Sequence, residues 1–215
     1  MYILSIDVGI KNLAHCLVNV ENQSYKIILW DSINLSDGIQ HICRQITKKK
    51  CCQIAKYSKD DNYYCNKHSK NIVGCISIKN NNVSDIPLPK LGIKLKEIYD
   101  TIFKDYKIDK VIIENQISPL AGRMKTLQGM ITQYFIGLNI EDIEYISAQN
   151  KLKEYITKTT TYSERKKISV EITKKIIKDS NNWSELFEKS KKKDDLGDTL
   201  LQAIYYMKNN NLINA

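Results

Sequence analysis

Four acidic residues in three places have types and spacing that suit metal chemistry. Asp7 ends an apolar, β-branched run, Tyr2–Asp7, and Glu114 ends a second such run, Lys110–Glu114. Asp195 and Asp198 lie three apart in a segment whose Leu196, Leu200, Leu201 and Ile204 have helical spacing. Sites in α/β sheets form at strand ends. A spacing of i,i+3 puts two side chains on one helix face, and the same helix packed on the core would carry its acids to the sheet edge. Converging carboxylates repel one another unless a cation sits among them. Mg²⁺ takes such oxygen ligands, and two Mg²⁺ ions about 4 Å apart activate a water and stabilise the leaving oxygen in phosphodiester cleavage. Taken singly, an acid after a strand is often only a turn residue, and one near a helix start is often a cap. Spacing alone leaves both readings open.

A second set of chemically able residues lies between 37 and 84, which holds five of the six Cys and two of the three His. Cys43-x7-Cys51, thirteen residues, then Cys65-x2-His68 makes a Cys₃His set. Zinc takes four such ligands tetrahedrally, and with every position filled by protein the site would be structural. Cys52 competes with Cys51, and seven residues is long for a zinc knuckle. The other reading is a loop of scattered reduced thiols. Cys16 and Cys75 read as buried or incidental; His15 and His41 receive no role.

The elements that must position these groups follow from periodicity. Tyr2–Asp7, Leu13–Val20 and Lys26–Asp31 read as three strands, with a polar hairpin at Glu21–Ser24, and so as an antiparallel meander. Leu91, Leu95, Ile98, Ile102 and Phe103 sit at helical spacing, as do Met124, Leu127, Ile131, Phe135 and Leu138. Ile143–Ser147 is a further strand. Ser163 is placed to cap a helix running to Ile177 with Ile168, Ile172 and Ile176 as its apolar stripe. Strands followed by strand–helix alternation predict an α/β domain around a mixed sheet, with residues 37–84 as an insert.

Length, 215 residues, fits one domain carrying such an insert. A hydrophobic share of 42% allows a core and excludes a disordered tail. The net charge of +9 favours a polyanionic partner, either nucleic acid or an acidic membrane surface. No apolar run reaches the roughly 18 residues of a membrane span. The start, MYILSIDVG, has no basic region before its apolar stretch, so an intracellular protein is expected rather than a secreted one. In that setting six Cys read as thiols or metal ligands.

LSIDVGIKNLAHCLV at 4–18, VIIENQ at 111–116 and KKDDLGDTLLQA at 192–203 resemble the poxvirus and large-DNA-virus branch of the RuvC-like Holliday junction resolvases. The resemblance covers nearly the whole chain outside the insert. It implies an RNase H-like fold, with a mixed five-stranded sheet flanked by helices. It also implies a homodimer and Mg²⁺-dependent, symmetrical nicking of four-way DNA junctions. By motif position Asp7, Glu114, Asp195 and Asp198 carry over as metal ligands, two Mg²⁺ per site. Asp194 is four residues from Asp198 and can share its helix face; the family's register favours Asp195. Tyr162–Lys167 resembles the family's basic segment before the final helix, where a lysine assists at the scissile phosphate: Lys166, with Lys167 as its neighbour and rival. Tyr64-Cys65-Asn66-Lys67-His68 resembles the end of inserts in some viral resolvases, which supports Cys43, Cys51, Cys65 and His68 as zinc ligands. If the source is viral, the host cytoplasm or a viral replication site is the expected location.

Asn115 and Gln116 either hydrogen-bond near the site or start a turn. Lys48–Lys50 and Lys191–Lys193 are either solvated faces or phosphate contacts, the second favoured because it abuts the acids. Alternating Tyr and Lys in 155–167 suits a surface that tracks a nucleic-acid backbone. Two competing functions remain. Asp-x-Gly after a strand also opens the phosphate loop of sugar-kinase or actin-like nucleotide binders, but their second Asp-Gly-rich loop is missing from this sequence. A non-catalytic nucleic-acid binding module of the same fold is the other, and the retained acids argue against it.

Overall fold

The computed structural model describes residues 1–39, 41–47, 49–78, 83–117, 122–156 and 160–214. They form two compact units: Met1–Leu35 with Gly92–Ala215, and Ser36–Leu91. In chain order the strands and helices begin with β1 (Tyr2–Asp7), β2 (Leu13–Glu21) and β3 (Ser24–Ile33). The second unit supplies β4 (Tyr57–Lys59), β5 (Asn62–Tyr64), α1 (Asn66–Ser69) and β6 (Ile76–Ser77). There follow α2 (Leu88–Phe103), β7 (Lys110–Glu114), α3 (Gly122–Gly137), β8 (Ile143–Ile146), α4 (Tyr162–Ile177), α5 (Asn181–Lys189) and α6 (Lys193–Asn209).

The larger unit is built on a five-stranded sheet of order β3-β2-β1-β7-β8. β1, β2 and β3 pair antiparallel, as the meander predicts, while β7 pairs parallel with β1 and β8 parallel with β7. The hairpin between β2 and β3 turns on Asn22 and Gln23, both at positive φ (50° and 55°). That is the two-residue geometry whose twist matches the strands it joins.

Strand alternation sorts the side chains to two faces. Ile3, Cys16, Val18, Trp30, Ile112 and Ile146 point to one face and pack with Leu196, Leu200, Ala203, Ile204 and Met207 of α6. Trp30 anchors this layer: it stacks on Phe187 at 5.4 Å between centroids, and its indole N–H donates to the Leu196 carbonyl at 3.0 Å. On the other face Tyr99, Phe103 and Phe135 make a tilted and edge-on aromatic cluster.

His15 points into that cluster, with its ring 5.4 Å from Phe103 and neither ring nitrogen hydrogen-bonded to the protein. Burial pushes its pKa down to about 4. The native state therefore keeps His15 neutral, while the unfolded chain takes up a proton below about 6.5. Stability is full above that pH and falls as the pH drops toward 4, by at most about 3 kcal/mol. His15→Leu, which removes two buried polar atoms, is expected to raise stability at neutral pH by about 1–2 kcal/mol. It should also flatten the decline between pH 6.5 and 4; urea unfolding across that range checks both.

Three expectations about helices are corrected. α3 stops at Gly137, and Leu138 is 48% exposed rather than part of the stripe. α4 is capped by Thr161, not Ser163: Thr161 accepts from the Glu164 amide and the Glu164 carboxylate accepts from the Thr161 amide. Only Thr161 lies three residues before a Glu, which the reciprocal cap requires. The buried stripe of α4 is Ser169, Thr173 and Ile177, with Ile168, Ile172 and Ile176 half-buried. Close approach to α6 selects small polar residues: a Cβ on Gly197 would lie 2.7 Å from Thr173 Oγ1 and 3.2 Å from Ser169 Oγ.

The second unit has a three-stranded antiparallel sheet of order β5-β4-β6, turned on Asp60 and Asp61 at positive φ. Its strands have two or three residues, and Cys43, Ala55 and Cys65 are among its few buried side chains. So small an apolar interior is the situation in which a bound metal usually supplies folding energy. Among the described residues no helix is long and apolar enough to cross a membrane.

Candidate active site and metal centre

Parallel pairing brings the C-terminal ends of β1, β7 and β8 to one edge. The register Ile6↔Ile113 makes Asp7 and Glu114 the next residues on adjacent strands. Alternation then places Asp7 on the face of Ile3, and Glu114 on that of Ile112, both beneath α6. Gln202 of α6 fixes the helix over this edge by donating to Ser5 Oγ at 3.2 Å and to the Ile6 carbonyl at 3.3 Å. Gly9 lets the chain turn sharply after Asp7, since a Cβ there would lie 2.5 Å from the Asn12 carbonyl oxygen.

Carboxylate oxygens of Asp7, Glu114 and Asp198 lie within 4.8 Å of one another. Lys151, which follows β8, bridges two of them: its Nζ donates to Glu114 Oε2 at 2.7 Å and to Asp198 Oδ2 at 2.6 Å. Ser169 of α4 holds the other Asp198 oxygen at 2.7 Å. Asp195 lines the same cavity, of about 390 Å³, without joining the tight trio. Lys166 lines it too, and its Nζ pairs with Asp194 Oδ2 at 2.5 Å. Asp194 and Lys167 do not line this cavity; they line a neighbouring depression with Lys191 and Lys193. Asp195 and Lys166 thus share the cavity of the acid trio, and Lys166 also lines the neighbouring depression. The basic segment at 162–167 opens α4, and α5 stands between it and the final helix, so it does not directly precede α6.

Electrostatics follow the crowding. Burial, and then the charge of Glu114, hold the Asp7 carboxyl well above its ordinary pKa, with Lys151 pulling the other way. Burial opposes the charge on Lys151, but Asp198, Glu114 and Asp7 outweigh it, and the ammonium is held above its ordinary value. Burial and Asp194 raise Asp195. Burial acts to raise Asp194 too, yet the Lys166 hydrogen bond wins and keeps it low. Three carboxylates around one ammonium form a site suited to a cation, with hard oxygen donors of the kind Mg²⁺ takes.

Lys151 and Ser169 are the site residues that sequence reading misses. Lys151 carries no local signal, because only the parallel pairing of β7 with β1 and β8 brings it to the two acid-ended strands. Gln116 lines the cavity while its amide donates to Gln128 Oε1 at 2.9 Å, and the Asn115 amide donates to the Ile146 carbonyl at 2.8 Å. The Asn115 bond thus extends the pairing of β7 with β8, and the Gln116 bond ties the end of β7 to α3. Lys193 of the 191–193 run is tied down by the Glu188 carbonyl at 2.8 Å and the Glu188 carboxylate at 3.5 Å. Lys48, and residues 157–159 of the Tyr/Lys alternation, lie outside the described residues.

In the second unit the Sγ atoms of Cys43, Cys51 and Cys65 and a ring nitrogen of His68 lie within 4.8 Å of one another. His68 Nδ1 is 3.4 Å from both Cys43 Sγ and Cys65 Sγ. Burial acts to raise the Cys65 thiol, but the amides of His68 and Lys67 outweigh it and favour the thiolate. Cys52 is exposed, with its sulfur 3.7 Å from the Lys50 carbonyl and apart from the cluster. Three sulfurs and one imidazole fit a closed tetrahedral Zn²⁺ site.

This mixed sheet with its flanking helices is the RuvC-like, RNase H-like fold. The fowlpox virus Holliday junction resolvase superposes with a TM-score of 0.57 at 16% identity, covering 97% of this chain and 99% of that one. That viral enzyme has also been solved with its substrate Holliday junction DNA. The yeast mitochondrial resolvase Ydc2 gives 0.56 at 18% identity over 98% and 80% of the two chains, and Thermus thermophilus RuvC 0.55 at 10% over 98% and 97%. These likenesses are of fold. The profile of the poxvirus A22 protein family matches residues 65–210, and the chain belongs to that family. A protein of Acanthamoeba polyphaga mimivirus is 28% identical over 191 residues, covering 74% of this chain and 46% of that protein. The chain thus spans about half the length of the curated relative it matches.

Proposed function

We propose that the protein is a divalent-metal-dependent endonuclease that resolves four-way DNA junctions by paired, symmetrical nicks. The observation that carries this reading is the trio Asp7, Glu114 and Asp198, within 4.8 Å at the edge of a RuvC-like sheet, in a chain of the poxvirus A22 family. Asp7, Glu114 and Asp198 would hold Mg²⁺, with Asp195 at the wall of the same cavity to complete a second position. A metal held there would supply activation of the attacking water and stabilisation of the leaving oxygen. The chain's own groups do the rest. Ser169 and Gly197 fix Asp198 and α6, and Arg165 and Lys166 at the cavity wall draw in the phosphate. Lys166, kept charged by Asp194, stabilises the negative charge that grows on the phosphate.

Two cuts related by a two-fold axis call for two such sites, which a homodimer supplies. Cys43, Cys51, Cys65 and His68 would hold a structural zinc, with no position open for catalysis. Six cysteines, none in a disulfide, suit a reducing intracellular compartment.

Synthetic four-way junctions and linear duplex of the same arm sequences test the reading. Cleavage of the junction at least tenfold faster than the duplex, only with Mg²⁺ or Mn²⁺, and no ATP hydrolysis is the expected result. Equal cleavage of both DNAs, or ATP turnover without cleavage, would overturn it.

A further inference from the structure

Charge is distributed very unevenly between the two units. Ser36–Leu91 carries ten Lys and Arg against four Asp, so +6 of the chain's +9 lies in the smaller unit. The larger unit also neutralises its cations internally, as in Lys110 with Asp142 and Lys174 with Glu188. In the smaller unit Arg44, Lys49, Lys50, Lys56, Lys67 and Lys70 are exposed, and among the described residues none of them pairs with a carboxylate. Three thiolates on one Zn²⁺ would subtract only a single charge from this excess.

These cations stand on the metal-ligating backbone. Arg44 follows Cys43, Lys50 precedes Cys51, and Lys67 lies between Cys65 and His68. A groove is lined by His41, Cys43, Arg44, Lys50 and Tyr63, among others. His41 stacks flat on Tyr63, with ring centroids 3.8 Å apart and planes within 7°. The Arg44 amide donates to the Tyr63 carbonyl at 3.1 Å, which ties the cation to this aromatic ledge. A guanidinium, an ammonium and a flat aromatic surface in one groove match a nucleotide: phosphate oxygens for the cations, sugar or base for the rings.

We propose that the Cys/His-held unit is a second nucleic-acid-contacting module, which grips the phosphate backbone of the DNA substrate through Arg44, Lys49 and Lys50. The proposal rests on the reading of the larger unit as a junction nuclease. The metal's part would be to fix the loops that carry these cations, so that phosphate contact costs little ordering on binding.

The test uses the full-length, zinc-loaded protein, with junction DNA in Ca²⁺ and dissociation constants measured from 50 to 300 mM salt. The Arg44→Gln, Lys49→Gln, Lys50→Gln triple variant should weaken binding about tenfold or more near 100 mM salt. It should also reduce the slope of log Kd against log salt by about 2–3. Arg44→Gln and Lys50→Gln alone should each reduce it by about 1, which keeps the test sound if the triple variant misfolds. Zinc content equal to the parent's is the control. A variant that matches the parent in both Kd and slope, while the parent binds and cuts junctions, overturns the proposal and leaves the nuclease reading standing. So does a loss of binding confined to vesicles of acidic phospholipid. A parent that binds no junction DNA overturns both.

Discussion

Asp7→Asn is expected to lower four-way-junction cleavage by roughly a thousandfold or more, about 4 kcal/mol of barrier, while junction binding stays within a few-fold of the parent. Asn keeps the shape but not the charge that would hold Mg²⁺ beside Glu114 and Asp198. The same substitution has a second readout, in stability. A carboxyl whose native pKa is raised releases its proton more readily when unfolded, so the native state loses stability as pH rises above the ordinary carboxylate range. Asp7→Asn removes that penalty. In EDTA at pH 7 the variant should therefore melt at or above the parent. Mg²⁺ should raise the parent's Tm and leave the variant's nearly unmoved. Full cleavage at ordinary Mg²⁺ would remove Asp7 from the site, and a parent Tm indifferent to Mg²⁺ would remove the metal.

Loss of the zinc ligands should have the other large effect, confined to the second unit. Structural Zn²⁺ contributes on the order of 10 kcal/mol in small metal-dependent domains, and β4, β5 and β6 bury too little to hold without it. Cys65→Ser or His68→Ala should abolish the stoichiometric metal, about one zinc per chain in the parent. Amide exchange across Tyr57–Ser77 should become rapid, while β1, β7 and α6 stay protected. Reduced, carefully prepared parent protein without zinc would contradict the assignment. So would undiminished protection in the variants.

Strand ends were the most legible feature of the sequence. Asp7 and Glu114 each close a short β-branched run, and a strand's period of two decides its faces without long-range information. Asp198 was legible because the apolar spacing of Leu196, Leu200 and Ile204 fixes which side of α6 meets the core. Lys151 was not, because burying a lysine depends on carboxylates that the parallel pairing of β7 with β1 and β8 brings to it. Nor was the buried face of α4. Its isoleucines suggest one stripe, but the approach to Gly197 selects Ser169 and Thr173 instead. α5, with Trp183, Leu186 and Phe187 on its inner side, goes unread because nine residues give too few turns to establish a period. For the Cys₃His set, spacing left Cys51 and Cys52 unresolved, since consecutive residues differ only in direction. The fold points Cys51 inward and leaves Cys52 exposed.

Mapping the cut strands of an end-labelled synthetic four-way junction tests the central claim most directly. With Mg²⁺ the account predicts two nicks in opposing strands at positions related by two-fold symmetry, giving ligatable linear duplexes, and no nicks for Asp7→Asn or Asp198→Asn. Nicks scattered over all four strands, or paired nicks that persist in either variant, would contradict it.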